Sequence, residues 1–146
     1  MKLEWMARDT DEKTRNIDNF RTTKTDPRPV VQQIIQDGAL VSELKTKYPN
    51  VKSWGAIGYC WGGKIVALSS GERTPFTCAV QTSPSRINPE DATAIKIPMA
   101  VLASKGEDPA KIREFSDFLK GPKYVETWSN SVHGWMSARY GTPLST

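Results

Sequence analysis

Hydrophobic positions between Val30 and Tyr48 recur with helical spacing: Val31, Ile34, Ile35, Val41, Leu44 and Tyr48 lie three, four or seven residues apart and share one face. Gly38 kinks or divides that helix, and Tyr48-Pro49-Asn50 ends it. The pattern then shortens. Val51 to Tyr59 is a β-branched and aromatic run, and Cys60-Trp61-Gly62-Gly63 leads into the apolar Ile65-Val66-Ala67-Leu68, which predicts strand, tight turn and helix. A second strand is expected over Phe76 to Thr82, with Cys78 in its core and Ser83-Pro84-Ser85 closing it. A third runs from Ile97 to Ser104, entered through Pro98. Asp108-Pro109 opens a helix whose Ile112, Phe115, Phe118 and Leu119 share a face, Gly121-Pro122 stops it, and Tyr124 to Trp128 forms a fourth strand. Strands alternating with helices predict an α/β fold with a mostly parallel sheet of about four strands flanked by helices.

Residues 1 to 28 break this pattern, with thirteen charges against seven apolar residues, and end at the breaker cluster Asp26-Pro27-Arg28-Pro29. The expected organisation is therefore a polar arm or linker over 1–29, with room for a short helix around Ile17 and Phe20, and a single domain over 30–146. The 146 residues, 38% apolar and 25% charged, suit one globular domain. Apolar runs such as Met99 to Ala103 fall far short of the ~18 residues of a membrane span. The net charge of +4 is spread over scattered residues, so neither nucleic acid nor a membrane surface is an expected partner. Cys60 and Cys78 form no CxxC pair and the single histidine completes no metal set, so no metal or cofactor is implied. The first nine residues lack the apolar core of a secretory signal, and a cytoplasmic location with free thiols is the expectation.

Gly58-Tyr59-Cys60-Trp61-Gly62-Gly63 is where this sequence points to chemistry. A nucleophile on a sharp strand-to-helix turn adopts a strained backbone and tolerates only small residues two positions away, a clearance that Gly58 and Gly62 supply. The same turn aims the Trp61 N–H and the helix N-terminus at a reacting carbonyl, which stabilises an oxyanion and acidifies a thiol. Cys60 is thus a candidate nucleophile, against the bland reading of a small buried residue in a glycine-rich turn. His133, in Ser131-Val132-His133-Gly134-Trp135, is the only imidazole available as a base. In such architectures the acid lies between nucleophile and histidine, after another strand. Asp108 fits that position, although an Asp before Pro109 also makes a strong helix N-cap, and Glu107 is the fallback.

Together these pieces resemble the dienelactone hydrolases, a branch of the α/β-hydrolases that uses a Cys, Asp, His triad. The resemblance rests on the Gly58 to Gly63 elbow, on Gly106-Glu107-Asp108, and on His133-Gly134-Trp135-Met136 with Arg139, and it extends from about Val30 to Arg139. It implies a partial α/β-hydrolase fold and attack on a small-molecule ester, thioester or lactone, with Cys60 as nucleophile, His133 as base, Asp108 as the orienting acid and no cofactor. Arg139 would contact an anionic substrate or serve a surface salt bridge. Trp61 and Trp135 would line a pocket or act, like Trp5, Trp54 and Trp128, as packing anchors. Members of the family carry several strands ahead of the elbow that supply a second oxyanion donor and a carboxylate near the resting thiol. Here that region is one helix and the arm. The elbow strand is then expected to be an exposed edge open to self-association. The alternative to an enzyme is a non-catalytic remnant that acts as a binding or partner subunit, and a redox-responsive thiol ranks last.

Overall fold

The computed structural model describes residues 10–35 and 39–139. Its elements are α1 (Thr10–Thr23), α2 (Arg28–Ile35), α3 (Ala39–Lys47), β1 (Gly55–Tyr59), α4 (Trp61–Ser69), β2 (Cys78–Thr82), a 3-10 helix (Pro89–Ala94), β3 (Met99–Ser104), α5 (Pro109–Phe118) and β4 (Lys123–Trp128). Gly38 and Trp5 lie outside the described residues. Helix α1 contains the turn expected around Ile17 and Phe20 and extends it in both directions. The 3-10 helix was not anticipated; Asn88 caps it by accepting from the Glu90 N–H, and Pro89 follows the cap.

All four strands are parallel in the order β1-β2-β3-β4, so each crossover steps to the next strand in one direction. Right-handed crossovers then lay α4, the 3-10 helix and α5 on a single face. Burial follows from this. Ala56, Ala79 and Met99 are in register on the covered face, as are Gly58, Gln81, Val101 and Val125, and their neighbours Val66, Ala92, Ile95, Ile112, Phe115 and Leu119 complete the core. Lys64 of α4 and Asp91 of the 3-10 helix form an ion pair that joins two pieces of this layer.

The opposite face is open among the described residues. Ile57 and Tyr124 are 52% and 54% exposed, and Cys78, expected in the core, is exposed on that face because it alternates with the buried Ala79. Phe118 likewise departs from the buried stripe of Ile112, Phe115 and Leu119 and is exposed. Strand β1 is an edge strand, as expected. No helix among the described residues is long and apolar enough to cross a membrane.

Between β1 and α4 the chain turns within one residue. A Cβ on Gly58 would lie 2.1 Å from the Gly62 carbonyl oxygen, and one on Gly63 would lie 3.3 Å from Pro84, whereas one on Gly62 would meet nothing within 4 Å. Clearance therefore comes from Gly58 and Gly63, and Gly62 contributes its backbone rather than its missing side chain. Gly58→Ala should destabilise the chain by about 1–3 kcal/mol or more, because strand and helix must part. Gly62→Ala should leave the melting temperature level or slightly raised, since Ala is the better helix former by up to ~1 kcal/mol. Thermal denaturation of the two variants side by side checks this contrast.

Candidate active site

Each strand delivers one component of the site at its carboxyl end. Cys60 follows β1, Ser83 to Arg86 follow β2, Glu107 follows β3 and His133 follows β4. In open parallel sheets this is the end at which ligands bind.

Cys60 has φ 53° and ψ −116°, the strained conformation expected of an elbow nucleophile. It occupies the N-cap position of α4, but its side chain makes no cap hydrogen bond and instead lines a cavity, the residue as a whole remaining exposed. The backbone is pinned instead: the Cys60 N–H donates to Thr82 at 3.1 Å, and its carbonyl accepts from the Gly63 and Ser85 N–H groups at 3.1 and 3.0 Å. Partial burial pushes the thiol pKa up. Hydrogen bonds from His133, the Ser85 hydroxyl and the Trp61 N–H, with the charge of His133, outweigh that burial and hold it below its ordinary value.

The partner of His133 is Glu107, at 2.6 Å from Nδ1 to Oε1. The second oxygen of Glu107 accepts from the Ser104 N–H, and the carboxylate is 96% shielded from solvent by its side-chain exposure of 4%. Burial lowers the His133 pKa, but the hydrogen bonds and charges of Glu107 and Cys60 raise it further, so the net shift is upward. With Nδ1 on Glu107, Nε2 is the nitrogen left to face Cys60. The loop is held by Lys105 N–H to Ser131 O at 3.0 Å and Gly134 N–H to Ser83 Oγ at 3.1 Å, with Gly134 at φ 85°.

Asp108, expected to orient His133, instead caps α5. Its Oδ1 accepts from Ala110 and Lys111 N–H at 2.9 and 3.4 Å, one residue too far along the turn to reach back to the histidine loop. The fallback, Glu107, makes that contact. The cavity over Cys60 has a volume of 770 Å3, with Ser85 and His133 beside the sulfur and Trp61 next to it. Neither Trp135 nor Arg139 is in its lining: Trp135 packs on Trp128 with ring centroids 5.1 Å apart, and Arg139 Nη1 donates to the His133 carbonyl at 3.4 Å, bracing the loop rather than a ligand. Ser85 is the residue that sequence reading missed, having been taken as part of a strand-closing turn. Ile17 and Phe20 of α1 reach the same cavity from the segment read as an arm.

Comparisons with known proteins bear on the family and the fold. The model of the Dienelactone hydrolase family matches residues 5–135, and so includes most of the N-terminal segment. Two uncharacterised AIM2 family proteins of Schizosaccharomyces pombe are 34% and 35% identical over 90 and 96 residues, which is 58% and 62% of this chain and 36% and 38% of theirs. The hydrolase tropI of Talaromyces stipitatus is 31% identical over 102 residues, 64% of this chain and 39% of that protein. The alignments thus span well under half the length of these relatives. Among solved structures, the acylaminoacyl peptidase of Pyrococcus horikoshii superposes with a TM-score of 0.51 at 12% identity, over 65% of this chain and 22% of that one. That likeness establishes the α/β-hydrolase fold.

Because the thiolate is the form that alkylates, labelling of Cys60 by iodoacetamide should rise with pH through a midpoint below that of an ordinary thiol. Ser85→Ala and His133→Gln should each move that midpoint upward, since each removes a donor to the thiolate. Mass mapping of rate against pH reads both, with Cys60 outpacing Cys78 at neutral pH in the parent chain.

Proposed function

The chain belongs to the dienelactone hydrolase family, and from that premise we propose that it cleaves a small-molecule ester, thioester or lactone with Cys60 as nucleophile. His133 is the base and acid, and Glu107 is the carboxylate that fixes its tautomer. The observation that carries this reading is the His133 imidazole, bonded through Nδ1 to the buried Glu107 carboxylate at 2.6 Å and lining one cavity with Cys60, whose thiol pKa it helps to lower.

In the first half-reaction the Cys60 thiolate adds to the carbonyl carbon, and the S–C bond forms as the carbonyl electron pair moves to oxygen. The Trp61 N–H, in the first turn of α4 directly after Cys60, holds that oxyanion. Collapse breaks the bond to the leaving group, which takes its proton from the His133 imidazolium. Water then attacks the acyl-thiol, gives a proton to His133, and releases the acid as the thiolate re-forms. Glu107 keeps Nδ1–H bonded throughout and stabilises the imidazolium. The Ser85 hydroxyl supports the resting thiolate, a place that a carboxylate occupies in the resemblance drawn above. A nucleophilic thiol requires reducing surroundings, and the proposal places the chain in the cytoplasm.

The reading separates two adjacent carboxylates. Glu107→Gln should lower turnover on an aryl ester on the order of 10⁴-fold, the loss that the equivalent change causes in a serine-protease triad. Asp108→Asn should change turnover little, because Asn caps a helix about as well as Asp. Activity measured against a Cys60→Ala background decides it, and equal effects of the two substitutions would remove Glu107 from the mechanism.

A second reading, a partner subunit, is favoured by one observation: the edge strand β1 and the open sheet face carry Ile57 and Tyr59, 52% and 40% exposed. We propose that the chain self-associates there. With Trp61 as the one assigned oxyanion donor, turnover of the isolated chain should fall about 10²–10³ below that of a site with two. Sedimentation should find dimers or larger species, and Ile57→Lys, which places a charge on the edge, should shift them toward monomer. A monodisperse parent chain would refute the association.

A further inference from the structure

Helix α1 contains two hydrophobic residues in fourteen, Ile17 and Phe20, and both line the cavity that contains Cys60. Three residues apart, they share one face of the helix. Ile17 is half-buried but Phe20 is 54% exposed, although an amphipathic helix normally places such a stripe against a core. One attachment of α1 lies just past its exit. The carbonyl of Thr25 accepts from the Trp61 indole at 2.9 Å and from Arg86 Nη1 at 3.1 Å, so the two residues that fasten the helix are themselves part of the cavity wall. Arg86, the lining's permanent cation, is tied to that strap.

At 770 Å3 the space is in the ~300–1,000 Å3 range of small-molecule pockets and far exceeds what a reacting carbonyl fills. Its walls set Ser85 and His133 with Cys60, and bring the apolar side chains of Ile17, Phe20 and Trp61 together beside Thr25 and Arg86. We propose that the cavity takes the apolar acyl group of the substrate, a medium-length alkyl chain or a single aromatic ring, which runs from Cys60 past Trp61 onto Ile17 and Phe20. Helix α1 is then the specificity element of the site, and Trp61 and Arg86 position it through Thr25. This rests on the proposed role of Cys60 and names the substrate class that the thiol would meet. The occupant follows from continuity: the exposed ring and the thiol share one cavity, so whatever is bound to the sulfur reaches the ring.

Two measurements separate this inference from the hydrolase reading. In the first, Cys60 of the full chain is labelled with N-methyl and N-hexyl iodoacetamide, which requires no turnover. Each buried methylene is worth about fourfold at ~0.8 kcal/mol, so even partial burial of the chain should make the hexyl reagent at least about tenfold faster. Phe20→Ala and Trp61→Phe should each cut that ratio severalfold, the first by removing the ring and the second by removing the indole wall and one of the two donors to Thr25. Phe20→Trp should lower it by filling the space. In the second, the hexanoate-to-acetate ratio of kcat/KM on p-nitrophenyl esters should follow the same order across the variants. Equal labelling by the two reagents would overturn the proposal, as would a preference that survives Phe20→Ala. Chain-length-dependent labelling without ester turnover would uphold the acyl site and refute the hydrolase.

Discussion

The contact between Gly58 and the carbonyl of Gly62 is the constraint on which the rest of the molecule depends. Strand β1 and helix α4 approach so closely that no side chain fits on Gly58, and the one residue able to make the turn, Cys60, is forced to φ 53°. That backbone cost, of order 1–3 kcal/mol, persists only because the Cys60 N–H and carbonyl are bonded to Thr82, Gly63 and Ser85. The same bonds join the elbow to the end of β2. Strain at the nucleophile and the position of Ser85 are therefore one feature, and a thiol that would otherwise cap its helix is left free to meet a substrate.

The elbow was legible because a one-residue turn writes itself into composition: glycine at 58 and 63 records close approach whatever lies around it. The wrong glycine was credited at 62, since a residue can lack a side chain without needing to. His133 was singled out as the one imidazole in the sequence. The carboxylate that meets it was not, and the reason is physical. Glu107 and Asp108 are adjacent carboxylates on a turn, and a step of one residue reverses which way a side chain leaves it. Asp108 followed by Pro109 is a strong enough cap to commit its carboxylate to α5. Taken at full strength, that capping signal leaves Glu107 for the histidine, and the longer Glu side chain spans from the Ser104 N–H to Nδ1.

The order of strands and helices could be read from periodicity, but their depth could not. Strands β1, β2 and β3 start later than their hydrophobic runs, at Gly55, Cys78 and Met99, because the runs feed the sheet before pairing begins. Cys78 and Ala79 differ little in hydrophobicity, yet one is exposed and the other 2% accessible. Alternation assigns them to opposite faces, while which face is covered depends on strand order. Once β1-β2-β3-β4 is known, same-direction right-handed crossovers place every helix between strands on the Ala79 side. That is information about the whole sheet, and no local window contains it.

Register explains why the proposed chemistry and the proposed selectivity fall to different parts of the chain. Tyr59 pairs with Thr82, Thr82 with Leu102, and Ser104 with Trp128, so the loops carrying Cys60, Ser85, Glu107 and His133 start from nearly one level of a hydrogen-bonded sheet. Ladder bonds fix the level at which these loops begin, which suits a contact as short as the 2.6 Å between Glu107 and His133. Helix α1 belongs to no ladder, and the Thr25 carbonyl just past it accepts from Trp61 and Arg86. A substitution there can reshape the wall formed by Ile17 and Phe20 while Glu107 and His133 stay in register, whereas a change in β1 or β3 would disturb the loops that carry Cys60 and Glu107. If the proposed acyl site is correct, the segment before Arg28 is accordingly where variation in acyl preference can arise at least cost to the fold.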